Sequence, residues 1–468
     1  MDVNNVLLVV LAAALAAMWW RRCSKTGGAD GLPPGPPGWP VVGNLFQVIL
    51  QRRPFMYVVR DLREKYGPIF TMRMGQRTLV VVTSADLIHE ALVKQGPMFA
   101  SRPEDSPTRL LFSVGKCTVN SAPYGPLWRA LRRNFVAEIV SPHRVKAFSW
   151  IREWAVNAHL RRLRAESAAA GAVRVMASCR LTICSILICI CFGAKVPDDL
   201  IREIEEVLKD VMMMTMPKLP DFLPLLTPLF RKQLAEARRL RRRQLDCLEE
   251  LVTLCSEVMS AGTDTSATAL EWAMMHLVLD PAAQERLYDE VVGKVGKTAR
   301  ITEADVEAMP YLQAVVKETF RRHPPSHFVL SHAATRDTEL GRYRVPADAS
   351  VEFYTAWVTE NPATWPDPAA WRPERFLDGG EGFDTDITGT RALRMMPFGA
   401  GRRICPAATL GVLHIQLMLA NMVREFRWVP PAGEGPPDPT ETFAFTVVMK
   451  NSLRAAIVER APAAAATA

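Results

Sequence analysis

Apolar positions run unbroken from Val6 to Trp20 and stop at Arg21, Arg22 and Lys25. A spanning helix wants about 20 apolar residues, and flanking residues extend a shorter run. The basic cluster follows the apolar run and only Asp2 precedes it, the reverse of a cleaved secretory signal. The pattern predicts a membrane anchor over residues 1–20 whose C-terminal side is cytoplasmic. Leu32 to Pro40 contains Pro33, Pro34, Pro36, Pro37 and Pro40. Prolines at that density predict a stiff spacer, so residues 21–40 read as a basic and Pro-rich linker.

Beyond the linker the periodicity changes along the chain. Ile69 to Met74 and Thr78 to Val82 alternate as strands around Gly75-Gln76, a hairpin turn. Ser84 stands where a cap would precede a helix over Ala85 to Val93. From about Tyr124 to Arg300 the period is helical. Within it, Met212 to Pro228 is apolar and broken by prolines, which predicts a loop near a membrane or over a pocket. Arg231 to Arg243 reads as a basic helix with a solvated face. Glu249 to Leu279 reads as one long helix stopped by Asp280-Pro281. Thr302 and Asp305 have capping-box spacing, and Pro310 opens a helix that ends before Pro324. Strands return between Phe328 and Phe353. The body over 41–460 is mainly α with small β-sheets, and an Ala-rich tail over 461–468 frays.

The chain has 57 Lys and Arg against 49 Asp and Glu, with 49% apolar residues. That excludes disordered, collagen-like and disulfide-scaffold classes. The basic surplus suits an anionic membrane surface or an acidic protein partner and is too diffuse for nucleic acid. The nine cysteines include no C-x-x-C, so zinc patterns have no support and a reducing compartment is expected.

Chemistry concentrates in a few places. Phe398 to Ala407 is Gly-rich, with Cys405 beside Arg402 and Arg403 and ahead of an apolar helix. Nearby cations and a helix N-terminus favour a thiolate there, which suits an axial ligand of haem iron. A buried cysteine under a Gly-rich loop reads equally well from these residues alone. Ala261-Gly262-Thr263-Asp264-Thr265-Ser266 interrupts the long helix. Gly262 costs about 1 kcal/mol there relative to Ala, so it reads as room for a small ligand, with Asp264 and Thr265 able to pass protons. A helix kink alone is the alternative. Glu318 and Arg321 share a helix face, as do Trp128 and Arg132.

Phe398, Gly401, Arg403 and Cys405 resemble the haem-binding loop of the cytochrome P-450 superfamily, with Ala407 where the family has its final Gly. Ala261, Gly262, Asp264 and Thr265 resemble its oxygen-binding groove. The resemblance spans nearly the whole chain. It implies the P-450 fold, one catalytic domain, and haem b (iron protoporphyrin IX) ligated by Cys405. Arg403, Trp128, Arg132, His332, Phe398, Gly401, Ala261 and Gly262 are then the other cofactor contacts. Asp264 and Thr265 become the catalytic proton carriers. Glu318, Arg321 and Arg375 become a structural triad behind the haem loop. Electrons would come from NADPH through NADPH-cytochrome P-450 reductase, with a cytochrome b-type donor as a further partner. The setting implied is the endoplasmic reticulum membrane, with membrane lipid at the anchor and the catalytic domain facing the cytosol.

His327 to Ala333 and Phe445 to Lys450 resemble the plant A-type family numbered 77. That implies in-chain hydroxylation or epoxidation of fatty acids in cutin-type lipid metabolism. Phe328, Val329, Leu330, Phe445, Val447 and Val448 would wall an apolar small-molecule pocket. One departure stands out. Relatives carry a longer stretch between the basic helix and the groove helix, which Asp246 to Leu251 here joins almost directly. A splice form, a gene-model error and a real deletion all give that pattern. A reductase-independent haem-thiolate isomerase or dehydratase, and a non-catalytic haem-binding membrane protein, are the other functional readings.

Overall fold

The computed structural model describes residues 31–113, 117–248, 252–391 and 393–460. The expected anchor, the linker up to residue 30, the join at 249–251 and the tail lie outside the described residues. Helix α1 (Phe55–Tyr66) packs beside a hairpin that forms as its alternation predicts. Strand β1 (Ile69–Met74) pairs antiparallel with β2 (Arg77–Val82), and Gly75 turns at φ 61°. Two more strands, β3 (His332–Ala333) and β4 (Ser350–Phe353), complete a sheet in the order β1-β2-β4-β3, with β2 and β4 parallel.

The end of the expected spacer is folded rather than free. Thr71 donates to the Pro34 carbonyl at 2.9 Å, and Asn44 donates to the carbonyls of Pro36 and Pro37. Proline lacks an N–H but keeps its acceptor, so the segment docks one-sidedly against the hairpin. Gly35 permits the approach, since a side chain there would meet the Thr71 carbonyl oxygen at 1.8 Å. Residues 34–37 of the expected spacer are therefore docked on the folded body.

The main body is helical. Its helices include α2 (Pro126–Phe135), α3 (Ser149–Ala170), α4 (Val175–Phe192), α5 (Asp198–Met214), α6 (Arg231–Leu248), α7 (Val252–Leu279), α8 (Pro310–Arg322) and α9 (Ala408–Glu425). A hairpin of β5 (Glu441–Ala444) and β6 (Thr446–Met449) packs on α7, where Trp272 donates to the Val447 carbonyl at 2.9 Å. Helix α4 is apolar and long enough to cross a membrane, but it is 67% buried against its neighbours α3 and α7. Its all-round apolarity is that of a core helix. Cys179, Cys184 and Cys189 fill its buried faces, as small core residues.

Local signals differ in outcome. Thr302 and Asp305 form the capping box. Ser84 precedes its helix without a side-chain cap bond. The segment after α5 is not a simple loop. Leu219–Phe222 and Pro224–Phe230 form short helices, and the Phe222 carbonyl accepts from Gln76 at the hairpin tip. The basic helix α6 is not uniformly solvated. Arg241 is buried and donates to Gln244, whose amide reaches Ser256 of α7 at 2.6 Å.

Candidate active site

The Cys405 loop is shaped by two left-handed glycines, Gly399 at φ 74° and Gly401 at φ 67°. A side chain at Gly401 would meet the Leu92 carbonyl oxygen at 1.8 Å, so only glycine lets the loop seat there. Cys405 N–H donates to the Phe398 carbonyl at 2.8 Å and closes the turn. Ala407 then stands at the N-cap of α9.

The thiol's surroundings correct one expectation. Burial pushes the Cys405 thiol up, opposed by a hydrogen bond from the Ala407 N–H and by the charge of Arg132. Arg403 points elsewhere, donating to the carbonyls of Ala100 at 2.7 Å and Val119 at 3.1 Å. Arg402 lies over the Tyr124 ring. The protein alone thus holds a neutral thiol, and a coordinating metal ion would deprotonate it.

The anticipated anion donors converge beside this loop. Arg132 donates to the Ile404 carbonyl at 2.7 Å, next to Cys405. Trp128 and Arg403 both donate to the Val119 carbonyl, and the guanidinium sits 4.5 Å from the indole centroid. His332 bonds the Phe99 carbonyl through Nδ1 at 2.7 Å, and burial, with Arg102 and Arg403 nearby, holds it well below the usual imidazole range. Arg102 was not anticipated. It donates to the carbonyls of Asn120, Leu330 and Ser331, and burial lowers it to about 9. Its sequence setting, an arginine ahead of Pro103 with Glu104 and Asp105 just beyond, reads as an ordinary exposed charge cluster.

Arg132 and Arg403 form no ion pair with a described carboxylate, and Arg102 has only the longer-range charge of buried Glu352. Three guanidinium groups, an imidazole and an indole N–H on neutral carbonyls are a donor set for a group carrying its own carboxylates. Haem fits that set, with Cys405 as the sulfur ligand.

The groove residues on α7 divide between faces. Thr265 Oγ1 donates to the Ala261 carbonyl one turn earlier at 2.7 Å, and both residues are accessible. Asp264 is buried and ion-paired with Arg180 of α4, which also pairs with Glu205 of α5. Asp264 makes no hydrogen bond to Thr265. Gly262 has a reason other than the expected room for a ligand. A side chain there would meet Leu187 Cδ1 of α4 at 2.7 Å, so its bare backbone lets α4 and α7 pack closely.

Asp264 also lines a crevice of ≈550 Å³ between α4, α5, α7 and the β5–β6 hairpin. Phe445 and Val448 line it too. The other expected wall residues do not. Val447 is buried in the core, Phe328 stacks on Phe55, and Leu330 is exposed.

Behind the loop the triad is assembled. Arg321 grips Glu318 with bonds of 2.6 and 2.8 Å, Arg375 approaches the same carboxylate at 3.3 Å, and all three are buried. Glu318 also accepts from the Arg372 N–H. Arg321 spends its remaining protons on the carbonyls of Thr359, Pro368 and Ala370.

A family model described as Cytochrome P450 matches residues 33–253 and 247–456, two segments that overlap at 247–253. The chain is similar to "Cytochrome P450 89A9" of Arabidopsis thaliana, 34% identical over 98% of this chain and 100% of the relative. That alignment runs over 510 residues, more than the 468 present here. It is similar also to "Geraniol 8-hydroxylase" of Catharanthus roseus, 30% identical over 97% of this chain and 99% of the relative. Among solved structures, a zebra fish cytochrome P450 with progesterone matches with a TM-score of 0.71 at 22% identity, covering 87% of this chain and 100% of that one. That likeness establishes the fold alone.

Proposed function

This chain belongs to the cytochrome P450 family, and on that premise we propose in-chain hydroxylation or epoxidation of a fatty acid. As a haem-thiolate monooxygenase it would draw electrons from NADPH through a membrane reductase. The observation that carries the reading is the Cys405 loop set beside Arg132 and Arg403, which form no ion pair with a described carboxylate.

Cys405 would ligate the iron of haem b, and Arg102, Trp128, Arg132, His332 and Arg403 would hold its carboxylates. Phe398 and Gly401 shape the loop beneath it. Haem supplies the oxygen-activating redox chemistry when bound. The chain's own residues position and protonate. Thr265 holds its hydroxyl on the Ala261 carbonyl and can relay a proton by exchanging that bond. Asp264 lines the crevice, where water can reach it, and is held by its ion pair with Arg180. The fatty-acid assignment draws support from the same crevice. Met212, Met213, Phe445 and Val448 give it apolar surface, and Arg174, Arg202 and Lys209 line it without a described ion-pair partner. A long apolar chain with an anionic head matches both features. Acidic Glu206 and Glu271 also line it, so the head belongs near the basic side.

We also infer that the join near 247–249 is shortened relative to the family. The overlapping family matches and the 510-residue alignment support this. An N-terminal anchor in the endoplasmic reticulum membrane is the matching localisation.

The test uses membranes carrying the full chain and reductase, supplied with NADPH. Oxygenated fatty acid with the oxygen inside the chain is the expected product. Turnover of a terpene alcohol or flavonoid with none of a fatty acid overturns the substrate assignment. In the same assay Thr265→Ala should raise peroxide released per NADPH, and an unchanged ratio makes Thr265 a helix residue only.

A further inference from the structure

Two thiols outside the haem site meet where α4 ends and α7 begins. Cys191 lies in the last turn of α4 and Cys255 in the first turn of α7. Their side chains are near enough to shift one another's ionisation. Both are partly accessible, unlike Cys179, Cys184 and Cys189, which are buried. The helices run antiparallel against each other here. Leu187 covers Gly262 further along. Close packing of the two helix backbones is what brings the two sulfurs together.

The ends of the two helices make the thiols unequal. A helix N-terminus stabilises a thiolate and a C-terminus disfavours one. The mutual interaction of the pair works in the same sense, lowering the Cys255 thiol and raising that of Cys191. No cation is needed for this asymmetry.

We propose that Cys191 and Cys255 form an oxidisable dithiol that becomes a disulfide tying α4 to α7. The oxidant is hydrogen peroxide, which a monooxygenase releases whenever reduced oxygen escapes unused. The Cys255 thiolate attacks one peroxide oxygen, the O–O bond breaks, and hydroxide leaves, giving a sulfenic acid. The Cys191 sulfur then attacks the Cys255 sulfur, the S–O bond breaks, and a second hydroxide leaves. Each hydroxide takes up one of the two thiol protons. In sum, two thiols and one peroxide give one disulfide and two waters.

The place gives the bridge a consequence. It lies just past the join at 249–251, on the same helix as Asp264 and Thr265. A covalent tie there would hold the start of α7 against α4, where relatives carry additional chain. This inference is independent of which substrate the enzyme oxidises.

The experiment uses the full-length haem-loaded protein. It is exposed to stoichiometric peroxide, its remaining thiols are blocked, and it is digested without reduction for mass spectrometry. The expected result is a linked peptide pair joining Cys191 to Cys255, two hydrogens lighter than the separate peptides and lost on reduction. Cys191→Ser should leave a Cys255 sulfenic acid that dimedone traps, while Cys255→Ser should leave no adduct at Cys191. Oxidation should raise the melting temperature of the parent protein reversibly and leave that of Cys191→Ser unmoved. Oxidation of Cys255 straight to sulfinic acid with no linked pair overturns the proposal, as does a first bridge through exposed Cys117. Should a variant fail to retain haem, the peptide map of the parent protein decides alone.

Discussion

The two sides of this molecule are built to different standards. Around Cys405 and the Glu318 triad, cations are buried and nearly every donor ends on a named carbonyl or carboxylate. Around Asp264, the helices α4 and α5 meet α7 through ion pairs that line an open crevice. The first arrangement is a frame with little freedom. The second has charge without full partners, including the Glu271 oxygen Oε2, which is buried and unbonded. The contrast is between a closely partnered frame and an open, charged crevice on α7. The open side lies on α7, which begins where the family match breaks into two segments.

The frame should break most sharply. Glu318→Ala leaves Arg321 buried without its carboxylate and Arg375 with Glu381 alone, a loss of about 3–5 kcal/mol. Thermal unfolding and haem content of the purified protein should both show it. A variant as stable as its parent would mean the triad is ornamental to this frame.

The open side should improve when it is completed. Inserting a relative's intervening residues after Cys247 should raise both melting temperature and turnover. Each ~100 Å² of apolar surface newly covered is worth about 2.5 kcal/mol. Equal values with and without the insert would show that the shortened join costs nothing.

Acid should test the buried body that both sides share. His159 and His414 are pushed down to about 3, by burial first and by a neighbouring arginine second. Their folded values lie below the ordinary imidazole value near 6.5. The unfolded chain therefore binds more protons between those limits, and stability is complete above about 6.5 and falls as pH drops toward 3. Each histidine contributes a slope of up to about 1.4 kcal/mol per pH unit. Melting temperature against pH should show this fall, and His159→Asn should flatten it.

The smallest effect concerns the contact between α4 and α7. Gly262→Ala puts a methyl against the end of the flexible Leu187 side chain. The crowding is offset by the better helix propensity of Ala, so stability should move by no more than about 1 kcal/mol. A loss of several kcal/mol would mean that the two helix backbones cannot give.

Sequence made the frame legible because its parts are chemically unusual. A cysteine among glycines and arginines, and a Glu and Arg one turn apart, have few other uses. Thr302 with Asp305 and the Gly75 hairpin were legible because the turn chemistry is local. What sequence hid depends on neighbours far along the chain. Arg402 and Arg403 look like thiolate partners, yet the backbone carbonyls of Ala100 and Val119 claim Arg403, and Arg132 stands closer to the sulfur. Gly262 looks like space for a ligand until Leu187 fills it. Arg102 declares itself only once the carbonyls of Leu330 and Ser331 are beside it. Val447 and Phe328 are apolar in sequence, but whether they face a pocket or the core is a matter of packing.

The central claim is that Cys405 supplies the iron's sulfur ligand, and a carbon monoxide difference spectrum tests it most directly. Reduced membranes carrying the parent chain should show the red-shifted Soret band that a thiolate ligand gives, and Cys405→Ser should abolish it. An unshifted band in the parent chain, or an unchanged red-shifted band in Cys405→Ser, would contradict the account.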